Sequence, residues 1–387
     1  MKKLTNRPGR LLAALLTLVL ALSMFATTAL AAETVAGPSD VKFDKYLVMD
    51  ENANVPNATF TFTVTAGEAL DANVTNKTPK VLAGIGTPTV GTAVFAPVDT
   101  TFDTAQTGDT VTLGANQKYA VKEVTVDFSS VTYNEPGIYR YVVTEVATTI
   151  DGVTNDTADT RILDVYVDSN AATADLTIAG TVLHPDASII DGGTGTPAAA
   201  YPNKNAGFTN TYATKDLTIS NTVTGNQGYR QKYFEFTVAI TGAAEGTKYT
   251  VDLADATSTA IDNHTNSAEL TVAAGGTVTA TYMLKHDQSI VIKGVTADTK
   301  YTVTEVIAAT EGYTTTYAIN GATAVEALAT GEQTMGEAAS TVAFTNHRAG
   351  TVPTGILLEV APYVLIVALA TCALVIFLVS RKRNRAR

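Results

Sequence analysis

The sequence predicts an all-β protein built from two tandem β-sandwich domains, and three observations lead there. Short runs of alternating apolar and polar residues, rich in Val, Thr and Tyr, are separated by Gly, Asn, Asp and Pro. Between the two ends of the chain no sustained helical period is present. Motifs around residues 45, 145 and 210 recur in the same order around 221, 305 and 346, as a duplicated plan would produce.

The first strand places Val41, Phe43, Lys45, Leu47 and Met49 on one face, with Lys42, Asp44, Tyr46, Val48 and Asp50 on the other. Lys45 is the misfit on the apolar side. After a Val55-Pro56-Asn57 turn a second strand runs from Thr59 to Thr65. From Ala66 to about Val126 the alternation weakens among Gly and Pro and reads as short strands and long loops. The turn Tyr133-Asn134-Glu135-Pro136-Gly137 leads into a strand from Ile138 to Val146, on which Tyr139, Tyr141, Val143 and Glu145 share a face. Another strand spans Ile162 to Val167, followed by a loop through His184-Pro185 and Gly192 to Gly195. The closing strand lies within Tyr201 to Tyr212, where Ala206, Phe208, Asn210 and Tyr212 share a face. These elements put the first domain at 36–212.

The second domain, 213–348, repeats them. Leu217, Ile219, Asn221 and Val223 match the opening strand, and Tyr233 to Ile240 match the Phe60 region. Tyr301 to Val306 match Tyr141 to Val146, and Phe344-Thr345-Asn346 match Phe208-Thr209-Asn210.

The ends have a different character. Lys2, Lys3, Arg7 and Arg10 precede an apolar run from Leu11 to about Leu22 and the small residues Ala29-Leu30-Ala31-Ala32, the pattern of a cleaved secretory signal peptide, 1–31. At the other end a linker, 349–355, leads into 356–387, where Val360 to Ser380 is apolar enough to span a bilayer and Arg381 to Arg387 is basic. The expected product is exported and tethered by its C-terminus.

The formal net charge is −11, although basic residues gather at the two ends, so the exported part is more acidic still and carries no nucleic-acid footprint. The single cysteine, Cys372, lies in the apolar tail, so a disulfide within the exported part is excluded. Any covalent staple must come from other chemistry. His184, His264, His286 and His347 are scattered without ligand spacing, and no phosphate-binding loop is present. No metal, no cofactor and no turnover enzyme are expected.

Lys45, Glu145 and Asn210 are polar groups at apolar register, where an unpaired charge is costly, so they are expected to meet. Burial lowers the pKa of a lysine and raises that of a glutamate. A neutral Lys45 amine could then attack the Asn210 carboxamide carbon and expel ammonia, with a protonated Glu145 donating to the Asn210 side-chain oxygen and shuttling protons. The product is a Lys–Asn isopeptide bond.

Lysine in the first strand, Tyr-x-Val-Thr-Glu at Tyr141 to Glu145 and Phe-Thr-Asn in the last strand resemble the isopeptide-linkage domains of Gram-positive shaft pilins of the FctA type, related to the immunoglobulin-like CnaB sandwich. Phe128 to Gly137 also matches, and the likeness extends over both domains. The resemblance implies polymerisation by a sortase. Val352-Pro353-Thr354-Gly355, directly before the apolar span, resembles its sorting motif, with Thr351 where related pilins often carry Glu or Gln. The implied reaction joins Thr354 to a lysine of the next subunit, and the Tyr-Pro-Asn-Lys setting of Lys204 resembles the pilin lysine. Implied partners are further copies of the chain, a pilus sortase, minor tip and base pilins and peptidoglycan, with the membrane a partner only before sorting and the finished fimbrium on the cell wall. A monomeric wall-anchored adhesin, binding a host ligand through loops of the first domain, is the alternative.

The second domain departs from the family pattern. Glu305 and Asn346 stand in register, but Asn221 occupies the amine position, and Lys215, of the same parity, lies about 20 Å away along an extended strand. One internal bond is expected, and the Asn221, Glu305 and Asn346 site is degenerate.

Overall fold

Alternating burial builds both sandwiches in the structure, a computed structural model that describes residues 40–72, 79–169, 175–185, 206–307, 311–351 and 354–384. The signal peptide at 1–31, Lys204, Val352 and Pro353 lie outside the described residues. The chain divides into two compact units that part between Thr214 and Lys215.

In the first unit the strands are, in order, β1 (Asp40–Asp50), β2 (Ala58–Phe60), β3 (Phe62–Ala66), β4 (Val81–Ala83), β5 (Thr89–Val90), β6 (Ala93–Phe95), β7 (Gln117–Asp127), β8 (Gly137–Glu145), β9 (Val153–Thr154), β10 (Thr160–Ser169), β11 (Leu176–His184) and β12 (Phe208–Tyr212). One sheet has the order β5-β7-β1-β12-β9 and the other β11-β10-β8-β3, with β4 also alongside β8. A small third sheet pairs β2 with β6. Phe43, Leu47, Phe60, Tyr141, Val165 and Phe208 pack between the layers, the arrangement of a two-layer domain with one core. The first and last strands run parallel and adjacent, with Lys45 opposite Phe208 and Leu47 opposite Asn210.

Three features differ from the sequence reading. The region read as short strands and long loops contains β7, eleven residues long and antiparallel to all of β1. Its alternation is blurred because Tyr119 and Ala120 are both buried: Ala120 faces the main core, while Tyr119 joins Tyr46, Val48 and Val111 in a small cluster on the outer side of the sheet. The loop read before His184 is instead β11. An irregularity in its pairing opposite Tyr166 and Val167 leaves Ala179 unmatched, so Ile178 and Leu183 reach the same core despite opposite parity. The strand expected from Thr59 to Thr65 is broken at Thr61 into β2 and β3. Where β8 and β10 run side by side, Arg140 faces Asp164 and donates from Nε and a terminal nitrogen to its two carboxylate oxygens, both at 2.7 Å, a buried bidentate pair that ties the strands together.

The second unit contains β13 (Lys215–Thr224), β14 (Phe234–Thr241), β15 (Lys248–Asp252), β16 (Glu269–Thr271), β17 (Thr277–Leu284), β18 (Gln288–Val295), β19 (Lys300–Val306), β20 (Thr314–Ile319), β21 (Val325–Glu326), β22 (Gln333–Thr334) and β23 (Ser340–His347). Its sheets have the orders β16-β15-β18-β13-β23-β20-β21 and β17-β14-β19-β22. Again the first and last strands are parallel neighbours, with Asn221 opposite Phe344 and Val223 opposite Asn346. The register offset equals that of the first unit, the structural counterpart of the repeated motifs. Past β23, Asn226 and Gly350 exchange two hydrogen bonds at 2.8 and 2.9 Å, holding the linker against the turn after β13. A helix, α1 (Thr354–Asn384), follows. Within it Pro362–Lys382 is long and apolar enough to cross a membrane, with mean hydropathy 2.7.

Candidate functional site

Each sandwich brings three strands of the two sheets to one buried polar point. In the first unit β1 supplies Lys45, the C-terminal end of β8 supplies Glu145 from the opposite sheet, and β12 supplies Asn210. Lys45 and Asn210 are fully buried and Glu145 almost so. The Lys45 ammonium lies 2.9 Å from each carboxylate oxygen of Glu145 and 4.7 Å from the centre of the Phe60 ring. Asn210 Nδ2 donates to Glu145 Oε1 at 2.8 Å. Glu145 Oε1 therefore touches both the nitrogen that would attack and the nitrogen that would leave. Burial among aromatic rings pushes the Lys45 amine down to about 8, against the attraction of Glu145.

The geometry corrects one detail of the sequence reading. The side-chain oxygen of Asn210 does not face Glu145; it accepts the main-chain N–H of Asp156 at 2.8 Å. A backbone N–H can only donate, so this contact fixes which end of the carboxamide faces the carboxylate. Asp156 was not singled out from the sequence, nor was Arg161. Arg161 is buried at the start of β10, lies 4.6 Å over the Phe208 ring and donates from Nε to Ala206 O and Gly207 O, both at 3.0 Å. An arginine directly before the apolar run of β10 was the only sequence signal. Gly207 has φ +25° and leaves room for the Tyr46 ring, which a Cβ would meet at 2.6 Å.

The second unit assembles the same constellation without an amine. Asn346 Nδ2 donates to Glu305 Oε1 at 2.7 Å and to Asn221 Oδ1 at 3.0 Å, and Asn221 Nδ2 donates to Leu284 O at 3.1 Å. Thr315 Oγ1 donates to Asn346 Oδ1 at 2.7 Å. Glu305 is buried, and its Oε2 has no hydrogen-bond partner among the described residues. Burial pushes its carboxyl up to about 7, against the hydrogen bond from Asn346. Lys215 pairs with Val295 at the far end of β13, whereas Asn221 pairs with Gln288, so no lysine of this strand reaches Glu305. Thr354 and Gly355 of the expected sorting motif open α1.

Residues 41–213 match the family described as the Spy0128-like isopeptide containing domain, FctA, and residues 215–348 match a family described only as a domain of unknown function, DUF7601. A curated relative, "Pilin" from Streptococcus pyogenes serotype M1, is 28% identical over 356 residues, covering 89% of this chain and 91% of its own. Two solved structures have this fold: a major pilin of Streptococcus pyogenes, at 23% identity and TM-score 0.53, and the T3.2 major pilin from the same species, serotype GAS13637, at 23% identity and TM-score 0.54. Each covers 80% of this chain and 99% of the neighbour. Residues 41–213, where a buried lysine, glutamate and asparagine meet, thus carry the FctA isopeptide containing domain, and along most of its length the chain is similar to a curated pilin and has the fold of major pilins of Streptococcus pyogenes.

Proposed function

We propose that this chain is the shaft subunit of a covalent surface polymer, linked within itself from Lys45 to Asn210 and to its neighbour from Thr354 to Lys204. The observation that carries the internal bond is the shared contact of Glu145 Oε1 with Lys45 Nζ and Asn210 Nδ2. In the reaction one Lys45 proton passes to Glu145, the neutral amine adds to Asn210 Cγ, Glu145 hands that proton to Nδ2, and as the C–N bond breaks Glu145 takes up a second proton from the Lys45 nitrogen, leaving a neutral amide and a protonated acid. One amide forms and one ammonia leaves, so atoms and protons balance. Confinement of the three groups in a water-excluded core replaces an external catalyst, and the reaction happens once per chain. Asn221 cannot act as nucleophile, so the second unit forms no such bond.

Polymerisation rests on the order Val352-Pro353-Thr354-Gly355, apolar span and basic end. In this reading a sortase cysteine attacks the Thr354 carbonyl, releases Gly355 and the tail, and passes the acyl group to the Lys204 amine of another copy. Tip and base pilins and peptidoglycan complete the assembly at the cell surface. Intact mass tests the internal bond: the exported chain should weigh one ammonia less than its sequence, and Glu145→Ala should restore the full mass. Wall extracts test the polymer, with a ladder of multimers that collapses to a single band in Lys204→Ala. A single band from the unaltered chain would favour the wall-anchored adhesin instead.

A further inference from the structure

Asp156 lies in the loop between β9 and β10 and is held on all sides. Its Oδ2 accepts from Thr209 N at 3.0 Å and from an Arg161 terminal nitrogen at 2.9 Å, and its Oδ1 accepts from Ala158 N at 2.9 Å. The preceding residue, Asn155, is tied to Thr148 by two hydrogen bonds, at 2.9 and 3.0 Å. The one group of Asp156 that faces the buried site is its main-chain N–H, on Asn210 Oδ1 at 2.8 Å.

We propose that Asp156 supplies the oxyanion contact of the cross-linking reaction, its N–H stabilising the charge that develops on Asn210 Oδ1 and its carboxylate fixing that N–H in place. This inference rests on the Lys45 to Asn210 reading. When the amine adds to Cγ, the carbonyl electron pair moves onto Oδ1, and a donor already aimed there needs no reorganisation at the moment of reaction. Glu145 is occupied with the two nitrogens, so the oxygen needs a separate donor. The carboxylate binds the N–H of Thr209, the residue before Asn210, and so keys the loop to the strand that carries the reacting group. The second unit supports the division of labour: there the Thr315 hydroxyl donates to Asn346 Oδ1 at 2.7 Å from the strand next to β23. Two different chemical groups thus fill one role, a donor to the carboxamide oxygen.

The test uses chain recovered unfolded, before the bond can form, and follows ammonia loss by mass during refolding. Replacing the residue-156 amide by an ester, with the aspartate side chain kept, removes only the donor and should slow cross-linking roughly 10²-fold. Asp156→Ala should also slow it, and Asp156→Asn, which keeps an oxygen for Thr209, should recover much of the rate. A purely structural loop would lower the melting temperature of the folded, unlinked chain without changing the rate. Equal rates for the ester and the parent chain would overturn the proposal while leaving the isopeptide bond intact. A parent chain that keeps its ammonia would overturn both.

Discussion

Asn346 donates to Asn221 at 3.0 Å in the second unit, at the register where Lys45 meets the Asn210 site in the first. An acid, a carboxamide and a donor to the carboxamide oxygen are all present there, and only the amine is missing.

Asn221→Lys should therefore install a second cross-link. The expected outcome is a chain lighter by two ammonias than its sequence, with the peptide carrying the substitution and the peptide carrying Asn346 recovered as one branched species after digestion. Loss of only one ammonia in a folded variant would show that this site needs more than its missing amine.

The second unit should also lose stability as pH rises toward neutrality. Burial lifts the Glu305 carboxyl from an ordinary 4.5 to about 7, so the folded chain holds that proton more tightly than the unfolded one. Below about 4.5 the contribution is complete. Between 4.5 and 7 the unfolded state releases the proton first, and stability falls by up to about 1.4 kcal/mol per pH unit. Above 7 it falls no further. Other carboxylates titrate as well, so the measurement is the difference between the parent chain and Glu305→Gln in thermal unfolding. Parallel curves through that window would refute the assignment.

The rate of internal cross-linking should be flat through neutral pH and fall above about 8. The reactive pair, neutral amine with protonated acid, carries the same number of protons as the resting ammonium and carboxylate, so its population does not change while that proton stays bound. Desolvation puts the Lys45 amine at about 8; beyond it the pair loses the proton that the departing ammonia requires. Following mass against time across pH checks this. A rate that keeps rising above 8 would mean that the amine alone limits the reaction.

Glu145→Gln preserves shape but removes the proton shuttle. The chain should fold with its ammonia retained and the first unit weakened. If the loop-entropy account of disulfides carries over to a loop spanning Lys45 to Asn210, the missing bond is worth about 5 kcal/mol. Denaturant titration of the variant against the cross-linked parent measures the deficit, and coincident midpoints would contradict it.

The three residues that meet at the buried site were legible because each is a polar side chain at apolar parity: Lys45 between Phe43 and Leu47, Glu145 after Val143, Asn210 between Phe208 and Tyr212. The duplication was legible because the parallel pairing of first and last strands requires the same motifs in the same order. Asp156 escaped notice because its contribution is a main-chain N–H, which no side-chain pattern encodes. For the same reason the donor to the Asn210 oxygen was assigned to Glu145. The strand β7 was hidden by burial on both faces at Tyr119 and Ala120, and β11 by the unmatched Ala179 that reverses its parity.

In the second unit β13 and β23 lie side by side and parallel, from Leu217 opposite Ser340 to Thr224 opposite His347. Traction applied at the beginning of β13 and the close of β23 therefore slides one strand lengthwise past the other, and every rung between them is strained at once. A sandwich loaded in that direction gives way in a single abrupt step instead of peeling open from one corner. In the proposed fibre, the second unit of each subunit would act as a spring with a sharp yield point.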